Sequence, residues 1–165
     1  MYQLEAVIGR DLAAHADRLG GRVVRAPQGF DLLPMVSPVW DRMHDEAGPG
    51  DPLPGADDFR VPTTSEVAWI MAHLGQDAPR AYVVAEYFGG SGEQFTTAWS
   101  GANVFVPPMA TTTAGSWPLA CPPMRDQAIN VGLRAIGVVQ GDAFDEFDAL
   151  DLGRFRRTRE WVAAE

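Results

Sequence analysis

Residues 80–106 read RAYVVAEYFGGSGEQFTTAWSGANVFV, three strand-like runs divided by two glycine turns. The first run carries Tyr82, Val83, Val84, Tyr87 and Phe88, the β-branched and aromatic content of a buried strand. Residues 95–99 and 104–106 continue the pattern, and the short link at Ser100 and Gly101 predicts an antiparallel hairpin between them. This stretch forms the middle of a sheet, and the rest of the chain is read around it.

Upstream, residues 2–8 alternate loosely and stop at Gly9, as a short strand does. Leu12, Ala13, Ala16 and Leu19 recur at helical spacing before Gly20 and Gly21, and residues 22–26 form a second strand. Strand, helix and strand in this order predict a small β-α-β unit. Gly9 alone follows the first strand, so the glycine fingerprint of a dinucleotide site is missing. Residues 30–36 are strand-like, with Pro34 restricting them to an edge or a strand end. Ser37 as N-cap and Pro38 at the first helical position open a helix that turns Val39, Trp40 and Met43 inward. Residues 47–62 are a long loop by their glycine and proline content. Thr63 and Glu66 form a capping box ahead of the apolar stripe Val67, Ile70, Met71 and Leu74, and Gly75 ends that helix.

Downstream, residues 107–124 form a second long Pro-rich loop holding Met109, Trp117 and Leu119. Two roles fit these apolar groups: an interface patch, or a lid packed on the sheet. Ala128, Ile129, Leu133 and Ile136 have helical spacing, weakened by Gly132. In residues 142–150, Phe144, Phe147 and Leu150 are expected inward and four acids outward. The fold class is therefore α/β or α+β, a single domain over residues 1–165. A mixed central sheet of about five to six strands is flanked by helices, with two long Pro/Gly-rich loops at 47–62 and 107–124.

Composition bounds function. The chain has 165 residues, 46% of them hydrophobic, enough for a core without metal or disulfide staples. A net charge of −9 argues against nucleic acid and anionic membranes and favours a basic protein partner. All thirteen positive residues are arginines, which removes the phosphate-loop lysine, the Schiff-base lysine and the serine–lysine pair. The richness in Ala, Gly, Pro and Arg points to a GC-rich bacterial genome. Cys121 stands alone without a neighbouring His or Arg, as in a reducing cytoplasm, and reads as a structural thiol. No basic segment followed by an apolar run opens the sequence, and no stretch nears the roughly 20 apolar residues of a membrane span. A cytoplasmic location is expected.

Three constellations carry chemistry. The loop of Gly89, Gly90, Ser91, Gly92, Glu93 and Gln94 lets backbone approach a ligand, but no lysine follows it and Glu93 repels an anion. Two residues after Ser91 stands Glu93, so the nucleophile elbow fails as well. Glu86, Glu93 and Gln94, flanked by Tyr87 and Trp99, suit a cation, an amide or an arginine-rich surface. Asp41, His44 and Glu46 form a partial metal site short of the three or four ligands zinc requires, so no cofactor is expected. The acids of residues 142–151 precede Arg154, Arg156, Arg157 and Arg159. Pairing with those acids, or with the acidic 41–58 region, is expected for these arginines.

In size, acidity and lack of a catalytic signature, the chain is similar to the small cytosolic immunity proteins that bacteria pair with toxins. That likeness is one of type and transfers no residue. It implies a non-enzymatic acidic protein that binds a basic partner; the negative charge and the two long loops, not the likeness, point to the glycine loop region and Trp117 as the contact. Two alternatives stand beside it. One is a small-molecule site or enzyme with a pocket built on Glu86, Glu93 and Gln94. The other is a homo-oligomer subunit that buries Met109, Trp117 and Leu119 between copies.

Overall fold

The computed structural model describes residues 1–53, 62–74, 78–88, 91–112 and 123–163. In chain order the elements are β1 (Tyr2–Gly9), α1 (Ala16–Leu19), β2 (Val24–Arg25), β3 (Asp31–Pro34), α2 (Ser37–Ala47) and α3 (Thr64–His73). There follow β4 (Arg80–Phe88), β5 (Ser91–Ser100), β6 (Asn103–Thr112), α4 (Ala128–Ala135), α5 (Glu146–Ala149) and α6 (Thr158–Ala163). The strands form one sheet in the order β2-β3-β1-β4-β5-β6, an α+β arrangement with helices on both faces. Every neighbouring pair of strands is antiparallel, and the described parallel pairing is one isolated bridge between Gln3 and Arg157. None of the described helices is long and apolar enough to cross a membrane.

The opening strand-helix-strand does not make an adjacent parallel pair. β3 inserts between β1 and β2, so β2 runs parallel to β1 one strand away. The helix expected over residues 10–19 is shorter. Asp11 takes a left-handed φ of 58°, a 3-10 turn spans Leu12–Ala14, and α1 begins only at Ala16. The turn is held by buried Asp31, whose carboxylate accepts from the Leu12 N–H at 2.9 Å and faces Arg25 at 2.9 Å. β1 has a divided outer edge: Ala6 to Gly9 pair with β3, while Gln3 and Glu5 are met by residues 156–158.

β4 lies centrally, and both its faces are covered, which explains why its sequence is apolar without alternation. One face is built on Val7, Leu33, Tyr82, Val84, Phe95 and Trp99, under Trp40 and Met43 of α2 and Val67 and Ile70 of α3. The other carries small residues, Ala6, Ala81, Ala85 and Ala98, under Ile129 and Leu133 of α4 and Trp161 of α6. Gly132 completes this close approach: a Cβ there would stand 2.2 Å from Thr96 Oγ1. The glycine that weakens the helical pattern is the residue that seats the helix.

The capping box at Thr63 forms in full, with its side chain accepting from Glu66 N–H and Glu66 accepting from Thr63 N–H at 2.6 Å. The helix predicted after it buries Val67, Trp69, Ile70 and Leu74, while Met71 is only partly buried. α2 begins one residue earlier than the Ser37 cap predicts, since Val36 is its extended N-cap and Ser37 its first helical residue. Gly75, Gly89, Gly90, Trp117, Leu119 and Cys121 lie outside the described residues.

Two further sequence expectations need correction. Residues 107–112 belong to β6, not to a loop. Their two prolines are tolerated because β6 is an edge strand, and the pairing with β5 slips around Thr97, where a ladder N–H is not required. Met109 on this strand packs partly against the α4-side core. Phe144 is 71% exposed, whereas Asp145 and Glu146 are buried. The helix there is only the four-residue α5, too short to impose a helical stripe on Phe144.

Candidate functional site

The β4–β5 register sets the site. Ala85 pairs with Gln94, Glu86 with Glu93, Tyr87 with Gly92 and Phe88 with Ser91. Directly opposed residues share a face and successive residues alternate. Glu86 and Glu93 therefore come together on the face of Val84 and Phe95, while Tyr87 and Gln94 occupy the other face with Ala85. Glu86, Glu93 and Gln94 do not share one cavity. Trp99 sits at the far end of the strand opposite Arg80, in the core at 1% exposure, away from the two glutamates.

Two like charges directly across a strand pair repel. Gln3 Nε2 donates to Glu86 Oε1 at 3.0 Å, which steadies one of them. Glu93 is partly exposed, and no side-chain hydrogen bond or ion pair reaches it from the described residues.

Beside this pair runs a groove of about 450 Å³, lined by Gln3, Glu5, Trp40, Glu86, Arg157 and Arg159 among others. Its floor is Glu5, a partly buried carboxylate. One oxygen accepts from the Tyr82 hydroxyl, and the other from Trp40 Nε1 at 3.2 Å. The Glu5 backbone N–H donates to Thr158 Oγ1 at 3.0 Å, tying the far wall to the floor. Glu5 escaped the reading of the sequence, although one signal was there: an acid inside the apolar run Leu4, Ala6, Val7 and Ile8. Three carboxylates thus share one sheet face: Glu5 is fixed by two donors, Glu86 lines the groove, and Glu93 stands across the strand pair from Glu86. Such a set accepts hydrogen bonds and attracts cations.

No family model, curated protein or solved structure matches the chain.

The Asp41, His44 and Glu46 group serves a different end. His44 Nδ1 pairs with the Glu66 carboxylate, so the same buried glutamate closes the capping box of α3 and fastens α2 to it. Glu46 accepts from Arg42 Nε at 2.9 Å and from Trp69 Nε1 at 3.0 Å, a second link between the helices. The hydrogen bond from Arg42, then that from Trp69, holds the Glu46 carboxyl below the usual glutamate range. Asp41 is exposed, and among the described residues no three His, Cys, Asp or Glu side chains gather as a metal site would need.

The arginines at 154, 156, 157 and 159 do not pair with the described acids as expected. Arg154 instead lies 5.1 Å from the centre of the Phe155 ring, and Arg157 and Arg159 face the groove. The buried acid Glu146 is matched by Arg134 at 2.8 Å, while Asp145 caps α5 and accepts from Asn130 Nδ2 at 3.0 Å. Short-range packing decided these partners, because the helices carrying Arg134 and Glu146 touch each other.

Proposed function

We propose that the protein is a non-enzymatic binding protein that engages a basic protein partner through the acidic end of its sheet, in the manner of the immunity-type proteins it resembles in type. The observation that carries this reading is the Glu86–Glu93 pair. Opposed carboxylates cost stability in the free protein, and a guanidinium set between them would relieve that repulsion. In the adjoining groove Glu5, its carboxylate held by Tyr82 and Trp40, adds to the acidic character of this end of the sheet. The net charge of −9 would speed encounter with a basic surface and make it sensitive to salt.

Titration with a fluorescent hexa-arginine peptide tests the chemistry. Binding is expected to weaken steeply as salt rises, and Glu86→Gln with Glu93→Gln together should weaken it about tenfold at low salt. Binding unchanged by the double substitution would sink the site. For the immunity-type role, the gene beside this one is expected to encode a toxin that co-purifies with the protein. A neighbourhood without such a gene removes that part of the proposal and leaves the peptide result standing.

A further inference from the structure

On the opposite face of the sheet, a second cavity of about 350 Å³ is lined by Tyr2, Tyr87, Met124, Asp145 and Phe147, with Gln94 behind them. That volume lies near the lower end of the roughly 300–1,000 Å³ typical of small-molecule sites. The three rings meet steeply. Tyr2 stands at 62° to Tyr87 with centroids 6.3 Å apart, and at 67° to Phe147 with centroids 5.8 Å apart. They are the walls of a corner, not a flat stack. Tyr87 is seated over Gly92, where an added Cβ would stand 1.9 Å from its ring.

The hydrogen-bonding groups around the corner are used within the protein. Gln94 Nε2 donates to the Tyr87 hydroxyl and to Gln127 Oε1 at 2.7 Å, and Gln94 Oε1 accepts from Ile129 N–H at 3.0 Å. The Tyr2 hydroxyl donates to the Leu152 carbonyl at 2.8 Å. Burial, reinforced by Tyr87, pushes the Tyr2 phenol far above its ordinary pKa, so this wall stays neutral. What remains for a ligand is ring surface, a thioether and one carboxylate. Asp145 accepts one hydrogen bond at each oxygen, from Asp148 N–H at 2.8 Å and Asn130 Nδ2 at 3.0 Å. Each carboxylate oxygen has a further lone pair, and Asp145 meets no ion-pair partner among the described residues.

An aromatic face attracts cations through its quadrupole, and a neighbouring carboxylate adds to that attraction. An ordinary ammonium has three N–H groups to satisfy, and the described lining offers them little beyond the remaining lone pairs of Asp145. A quaternary ammonium has no N–H to satisfy. We propose that the corner of Tyr2, Tyr87 and Phe147, with Asp145 beside it, binds a small quaternary ammonium compound of the choline class. The proposal is independent of the acidic groove, which lies across the sheet.

Calorimetric titration of the full chain with choline, its neutral isostere 3,3-dimethylbutan-1-ol, and ethanolamine tests it. Choline is expected to bind saturably, with each of the other two at least about tenfold weaker. Tyr87→Leu and Asp145→Asn should each weaken choline about tenfold, the asparagine keeping the α5 cap while removing the charge. If either variant fails to fold, the comparison of the three ligands on the unaltered protein still decides. Absence of saturable choline binding overturns the site. Equal affinity for the neutral isostere would make it an apolar pocket, and equal affinity for ethanolamine would remove the quaternary preference; either result overturns the proposal.

Discussion

Gly132 of α4 rests against Thr96 of β5 so closely that a single added carbon would lie 2.2 Å from the threonine Oγ1. Thr96 cannot easily turn away, because its hydroxyl donates to the Tyr82 carbonyl at 2.9 Å inside the sheet. Two effects oppose each other in Gly132→Ala. Helix propensity favours alanine by about 1 kcal/mol, while overpacking of a filled core costs about 1–3 kcal/mol. Packing should win, with a net loss of up to about 2 kcal/mol by urea denaturation. Adding Thr96→Ala should recover part of the loss, since neighbouring sites couple. A stabilised single variant would show that α4 is free to shift.

Asp31 is fully buried and serves the Leu12 N–H, more distantly the Ala13 N–H, and Arg25, with unequal effect. Arg25 is well exposed, so its ion pair contributes little and Arg25→Ala should cost at most about 1 kcal/mol. The Leu12 N–H is buried, and Asp31→Ala leaves it without an acceptor. A loss of about 2–3 kcal/mol is expected from that orphaned donor. Equal effects of the two substitutions in chemical denaturation would contradict this ranking.

Glu46 links pH to the α2–α3 contact. Its folded pKa lies below the ordinary value, so its contribution is present above the unfolded glutamate pKa of about 4.3. That contribution is lost as pH falls through the lower folded pKa, because the unfolded chain binds the proton more readily. Glu46→Gln should therefore flatten the fall of the melting temperature on the acid side of pH 4, with the difference shrinking in high salt because the group is exposed. Parallel melting curves for the two proteins from pH 3 to pH 7 would refute this.

Repulsion between Glu86 and Glu93 gives an opposite sign. Glu93→Gln should stabilise the protein by about 0.2–1 kcal/mol at low salt, an unusual result for a substitution at a proposed binding site. Destabilisation instead would mean that Glu93 has a favourable role in the free fold. The measurement is a denaturant midpoint at two salt concentrations.

Legibility in the sequence followed the range of the interactions. The Thr63 capping box, the inward Trp40 and Met43, and the β5–β6 hairpin depend on neighbours within a few residues, and each was readable. Pro107 and Pro108 read as loop because proline normally breaks a sheet. Their place on an edge strand depends on strand order, which no local pattern encodes. The convergence of Glu86 and Glu93 follows from register, as does the separation of Gln94 from them. For Glu5 the interrupted apolar run was a signal without a partner, because its donors, Trp40 and Tyr82, come from a helix and a strand far along the chain.

The shared edge of β1 has a consequence for biogenesis. Residues 3 and 5 are met by residues 156–158, positions 153 apart in sequence. A ribosome makes chain at roughly 5–20 residues per second, so the partner of this half of β1 arrives many seconds after β1 has emerged. Until then a central strand displays unpaired backbone to its surroundings, the exposure that invites pairing with the wrong chain. The clasp that closes the sheet is thus also its timekeeper: vulnerability to misassembly ends only when Thr158 reaches Glu5.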